Sequence, residues 1–364
     1  MFRINEQLEA AIYVNGKELM LNGVNFLQSI HINTAATSQL PVAVIRFVDL
    51  IDSASDVGLQ DNVPLVLTLA GAVTVDRKLR VYSWRRSPAG EGFSYEVTCY
   101  WDAPKFWSAT SNKVYQGTTY EVMQTIASEC GLKFWKSNTP TSDPMHWSQG
   151  NRTYGEFARH LARHGYANDK SHMVLGVDST GALRYLDLNG IPKPEINLGY
   201  ISEATSGPFI QITGFQPTNV AGTNNTVAGY LHDRHIQLLE EPAVLKSVTL
   251  DPDSRKPLLN LEVRDMIGRG GISYGPIDFG NVHPKYERAR YQNQRFNLLN
   301  NLVAEFVVGF QTTLEMFDNF KYVPPRQLGS EAYSGEYTIA SKIIYIPGNA
   351  YYEKLIAVKN GLET

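Results

Sequence analysis

The sequence predicts a mainly β protein, α+β overall, with one small α/β insert and a closing hairpin. Three features carry that expectation. Short apolar-alternating runs separated by turn residues fill the first third, a compact helical pattern occupies residues 118–166, and two alternating runs flank Pro347, Gly348 and Asn349 near the C-terminal end. Alternation with period two puts one face of a run on a core and the other in water, whereas a helix repeats near 3.6 residues.

From residue 10 to about 106 the expected strands are 12–14, 26–32, 42–47, 64–70, 79–84 and 94–100, with Asn15 and Gly16 as a tight turn after the first. Within 26–32, strict alternation would set Phe26, Gln28, Ile30 and Ile32 on one face and Leu27, Ser29 and His31 on the other. Many short strands at regular spacing favour a barrel or sandwich.

The insert opens with two helices that carry one start signal. Thr118 followed three residues later by Glu121, and Thr153 by Glu156, each fit a capping box, in which hydroxyl and carboxylate satisfy each other's backbone amides. The first helix would bury Val122, Met123, Ile126, Ala127 and Cys130 and stop at Gly131. The second would bury Phe157, Leu161 and Ala162 and stop at Gly165, both glycines being expected in the left-handed region. Strands 173–177 and 182–188 then flank a short loop from Asp178 to Gly181.

Strand-like texture resumes over 199–222, followed by a loop over 222–226 and more strand pattern over 245–263. A third helix is expected over 284–301, begun by Pro284, with Arg288, Arg290 and Arg295 on unusually polar faces that are either solvated or turned to another subunit. Residues 304–310 read as a strand before a Pro-rich loop through 323–326, and 335–361 as the closing hairpin.

At 364 residues and 43% hydrophobic, the chain is long enough for two or three cores. Thirty-three basic against 36 acidic residues give a net charge of -3, so no bulk field draws it to nucleic acid or an anionic membrane. Cys99 and Cys130 lack the spacing of a disulfide framework or zinc site, and we expect buried free thiols. The opening residues carry no secretory apolar run and no segment approaches ~20 apolar residues, so we expect assembly in a cytoplasm and no membrane span.

Reactive constellations are weak. His160 and His164 share a helix face at zinc-peptidase spacing, but Leu161 stands where that motif needs glutamate, and no third ligand follows. The glycines of 268–275 lack the lysine of a phosphate loop. Neither a nucleophile elbow nor a recognisable carboxylate pair occurs, and we expect no enzyme, no cofactor and no metal. Basic side chains from Arg77 to Arg86 interleave with Tyr82 and Trp84. Alternation would put Arg80, Tyr82 and Trp84 on one face, as a surface or subunit interface more than a DNA contact. Trp101 and Trp107 belong to an aromatic cluster that would wedge the first β unit against the insert, or form a sugar platform. Arg80, Tyr82, Trp84, Trp101, Trp107, Arg288 and Arg295 are therefore the interface candidates.

The helix Tyr120–Leu132, the second helix ending in Gly165 and Tyr166, the apolar strand with central Gly309, and the glycine-bounded hairpin 335–361 together resemble the baseplate hub or late-control proteins of bacteriophage tails, relatives of the spike-base proteins of contractile injection systems. That resemblance implies two tail-tube-like β-barrels per chain, over residues 1–111 and 202–364, with the α/β insert at 112–201. It implies a homotrimer whose three chains present pseudo-sixfold symmetry to a tail tube protein and hold a central spike protein opposite, among other baseplate proteins. Genomic DNA would pass through the lumen without specific binding. The product would be a structural virion protein of the tail baseplate, assembled in the bacterial host cytoplasm, with a carbohydrate-binding tail-tip adhesin or a cell-wall hydrolase as the alternatives.

Overall fold

A computed structural model describes residues 9–19, 26–35, 40–71, 74–137, 139–168, 171, 173–200, 202, 207–220, 248–250, 257–259, 302–326, 330–348 and 350–359. The helix expected over 284–301, with Arg288 and Arg295, and the loops 222–226 and 268–275 lie outside them.

The chain begins with seven strands: β1 (Glu9–Val14), β2 (Lys17–Leu19), β3 (Phe26–Ala35), β4 (Val42–Asp49), β5 (Pro64–Ala70), β6 (Thr74–Ala89) and β7 (Gly92–Trp101). A one-turn helix α1 (Ser53–Asp56) follows β4. Asn15 and Gly16 take positive φ of 53° and 77° at the β1–β2 turn, the geometry that matches the twist of a two-residue hairpin. The insert carries α2 (Pro104–Ser108), α3 (Thr119–Cys130) and α4 (Tyr154–His164) with short strands β8 (Thr110–Ser111), β9 (Val114–Gly117), β10 (Lys133–Trp135), β11 (Met145–Ser148), β12 (Arg152–Thr153), β13 (Met173–Val177) and β14 (Ala182–Asp187). Then come β15 (Asn197–Gly199), β16 (Phe209–Gln211), β17 (Gly214–Val220), β18 (Val248–Leu250), β19 (Pro257–Leu259), β20 (Leu302–Val308), β21 (Asn319–Val323) and the closing hairpin β22 (Gly335–Pro347) and β23 (Tyr352–Lys359).

The protein is mainly β with a few helices, as the alternating texture implies. One sheet runs β16-β15-β21-β22-β3-β4-β7-β6-β5-β1-β2, with β23, β20 and β17 branching from β22. It wraps two β cores. Ile12, Leu67, Ile45, Val97 and Phe47 fill the first, and Leu198, Phe306, Phe320, Tyr337 and Leu355 the second. Strand β22 serves both: its 13 residues pair with β21 at one end and with β3 at the other, placing Ile339 in the second core and Ile344 and Ile346 in the first.

Both helix starts form as the sequence indicates. The Thr118 hydroxyl accepts the amide of Glu121 while the Thr118 amide donates to the Glu121 carboxylate at 2.8 Å, and Thr153 and Glu156 repeat this at 2.9 Å. Gly131 is left-handed with φ 72°, as expected for a glycine C-cap. Gly165 is not. Its φ of -66° is open to any residue, and glycine is required for space: a Cβ there would stand 1.8 Å from the Tyr185 hydroxyl.

Of the β-bulges among the described residues, those in β3 and β6 overturn the alternation expected there. In β3, Leu27 pairs with Phe47 and Ser29 with Arg46, so Gln28 is an extra residue. Leu27 thereby joins Ile30 and Ile32 on the core side, and Phe26 is turned outward at 56% exposure. In β6, Val81 pairs with Cys99 and Ser83 with Thr98, which makes Tyr82 the extra residue. Trp84 then faces Val97 and packs on the first core against Tyr95, on the side opposite to Tyr82. The shared face expected for Arg80, Tyr82 and Trp84 holds only for the first two.

Candidate assembly surfaces and the buried junction behind them

Tyr82 and Trp107 are 53% and 43% exposed, and with Tyr100 they form an aromatic cluster on the outside of the β6–β7 pair. Tyr82 meets Tyr100 edge-on at 5.1 Å, and the Trp107 ring, carried by α2, stacks on Tyr100 at 6.1 Å. Beside them Arg80 donates from Nε to Asp102 at 2.7 Å and from its guanidinium to the Asn62 carbonyl at 2.8 Å, which holds its side chain along the strand. A second exposed apolar group lies at the far end of β3 and β4. The fully buried Asp49 carboxylate accepts the amides of Ile51, Ser53 and Ala54, turning the chain so that Leu50 and Ile51 point outward near Phe26.

Trp101 does what its place in the sequence suggests. Its indole packs against both the first β core and the insert core. Gly181, at φ 76°, receives it: a Cβ would lie 2.0 Å from the ring. That loop is tied on three sides. Arg77, 3% exposed on β6, donates to the Ser179 carbonyl. Ser179 donates from its hydroxyl to Glu315 at 2.6 Å and from its amide at 3.1 Å. Arg184 bridges Asp178 and Asp318, each at 2.7 Å, and also reaches the Met316 carbonyl.

Behind the loop, Lys342 projects from the inner side of β22 to Glu315 at 3.0 Å, Glu353 at 3.2 Å and the Leu314 carbonyl at 2.8 Å. Glu353 is fully buried and also accepts from the Tyr351 hydroxyl at 2.6 Å and from Thr312. Burial alone would lower the Lys342 ammonium, but Glu353 and Glu315 outweigh it and hold its pKa above the ordinary 10.5. Burial, then Arg184's neighbours Asp318 and Asp178, act the same way on that guanidinium. Burial followed by the Glu353 charge raises the Tyr351 phenol. The junction therefore keeps fixed charges at neutral pH, as a clasp among the insert, β6 and the closing hairpin. Its residues were legible in part: Lys342 shares the parity of Ile344 and Ile346, and Glu353 that of Leu355 and Ala357, charges on faces otherwise apolar.

Cys99 and Cys130 are buried free thiols, each pushed by burial to about 12. His164 donates from Nδ1 to the His160 carbonyl at 2.6 Å, and the two rings lie tilted with centroids 4.2 Å apart. His160 lines a shallow cleft with Arg152, Glu156, Arg159 and Arg163. Among the described residues no group of three or more His, Cys, Asp or Glu is placed to hold a metal, and no helix is long and apolar enough to cross a membrane. Inside the insert, Glu129 gathers Lys113 at 3.0 Å, Tyr154 at 2.8 Å and Tyr115 at 3.2 Å.

The fold, a sheet with two cores, an α/β insert and a hairpin that closes on both cores, resembles that of solved phage tail proteins. It is shared with a tail protein from Neisseria meningitidis MC58, at 9% identity and a TM-score of 0.59 over 98% of each chain. It is shared too with the 43 kDa tail protein of prophage MuSo2 from Shewanella oneidensis, at 12% identity and 0.57, over 98% of this chain and 100% of that one. The E. coli c3393 protein, a type VI secretion component similar to T4 tail proteins gp27 and gp5, matches at 10% identity and 0.52, over 96% of this chain and 76% of its own. No protein-family model matches the sequence, and no curated protein matches it.

Proposed function

We propose that this chain is the subunit of a trimeric tail hub, a structural virion protein that joins a sixfold tail tube to a threefold central spike around a DNA channel. The observation that carries the reading is the fold shared end to end with two tail proteins, 98% of this chain being covered in each case. Two β cores per chain support the symmetry argument, because three copies then offer six β units to a six-membered ring. The clasp of Lys342, Glu315, Glu353 and Arg77 supports it as well, since an adaptor must hold its two β units at a fixed angle under load. Its partners would be two further copies, the tail tube protein, the spike and other baseplate proteins, met in the bacterial host cytoplasm during assembly.

Light scattering and negative-stain images of the purified protein test this. The expected result is a three-chain annulus with a central hole and more than ~2,000 Å² buried at each contact, as in obligate oligomers. A stable monomer at micromolar concentration would overturn it.

A further inference from the structure

The outer face of the β3-β4-β7 sheet is charged in its middle and apolar at its two ends. Arg46 and Arg85 flank Glu96 at the centre, at 2.8 and 3.2 Å. At one end stand Tyr82, Tyr100 and Trp107, bordered by the exposed Lys78 and Lys105. At the other stand Phe26, Leu50 and Ile51, bordered by the exposed Asp52 and Asp56, with Arg86 nearby over the Phe93 ring. Val42 lies opposite Tyr100 and Leu50 follows the last residue of β4. At ~3.3 Å per residue, the ends are therefore roughly 26 Å apart.

A ring of identical subunits closed by a head-to-tail contact needs two different patches on each copy, set apart from one another. We propose that these ends are the two halves of one such contact: the Tyr82–Tyr100–Trp107 patch of one copy receives the Phe26–Leu50–Ile51 patch of the next. The occupant is a second copy of this chain because both patches are apolar and their borders are opposite in charge, Lys78 and Lys105 around one and Asp52 and Asp56 around the other, a pairing that would bring Lys105 to Asp56. Two like patches would make a two-fold contact and stop at a dimer. Unlike patches admit a head-to-tail contact that repeats from copy to copy around a ring. This inference rests on the hub reading and names the surface by which its copies meet.

Engineered disulfides test the pairing. Mild oxidation reports only introduced thiols, since Cys99 and Cys130 are buried and held protonated near pKa 12. The double variant Ile51→Cys/Trp107→Cys should give two- and three-chain bands, a mixture of the two single variants a two-chain band alone, and each single variant none. Independently, Lys105→Glu and Asp56→Lys, both at exposed positions, should each weaken the trimer at least tenfold, and their combination should restore it. If the wild-type protein is trimeric but single variants link to themselves, or the double variant stays unlinked and the charge reversals have no effect, the pairing is overturned and the hub reading stands. A monomeric wild-type protein removes both.

Discussion

Lys342 and Glu353 meet 3.2 Å apart on the two strands of the closing hairpin, each at most 2% exposed, where β22 passes from the second core to the first. Two charges removed from water are expensive unless each finds several partners, and here Lys342 has three acceptors and Glu353 three donors besides it. Replacing Lys342 with Met keeps the volume but leaves Glu315 and Glu353 buried without their paired ammonium. The variant should lose about 3–5 kcal/mol in urea unfolding, whereas Lys342→Met with Glu353→Gln and Glu315→Gln together should recover much of it.

The same lysine fixes a pH dependence. Its folded pKa is raised, so the stability it lends is fully present below the ordinary 10.5 and is lost as pH rises through the folded value. Thermal melts of the wild-type protein should fall steeply above pH 10.5, and Lys342→Met should flatten that limb. On the acid side Glu129 contributes in the opposite sense. Burial pushes its carboxyl up, yet hydrogen bonds from Lys113 and Tyr154 hold it below the ordinary 4.5, so its contribution is present above 4.5 and fades as pH falls below it. Glu129→Gln should be less stable at pH 7 and less sensitive to acid, as followed by melting of the helical signal.

Gly165 and Tyr185 form a size contact. Gly165→Ala forces a methyl onto the Tyr185 hydroxyl, which lies 3.2 Å from Thr119, and should cost about 1–3 kcal/mol as overpacking does. Adding Tyr185→Phe removes the obstructing oxygen, so a double-mutant cycle should show a coupling well outside additivity. Equal costs in both backgrounds would contradict the contact.

The bulge at Tyr82 separates two neighbouring aromatics by function. Trp84→Ala should destabilise the monomer by about 2 kcal/mol because the ring packs on Tyr95 and the first core, while Tyr82→Ser should change monomer stability by less than ~0.5 kcal/mol. Circular-dichroism melts under dissociating conditions compare them directly.

The two capping threonines should act alike and independently. Thr118→Ala and Thr153→Ala each remove one hydroxyl acceptor from a helix start and should cost about 1 kcal/mol apiece, adding in the double variant.

Local signals were sufficient for a good deal of this protein. The capping boxes at Thr118 and Thr153, the left-handed Gly131, the turn at Asn15 and Gly16, the wedge at Trp101 and the alternating closing hairpin could all be read along the chain, because each depends on residues within a turn or a strand of one another. Tertiary structure alone decided the rest. Whether a strand takes in an extra residue depends on its partner's register, so the bulges at Gln28 and Tyr82 exchanged Leu27 for Phe26 and turned the half-buried Trp84 onto the first core. Gly165 is glycine because of Tyr185, twenty residues on, and the buried Lys342 is tolerable only because Glu315 and Glu353 arrive from separate segments. Contacts of that range leave no period in the sequence, since their energy depends on where distant strands cross and not on what stands beside each residue.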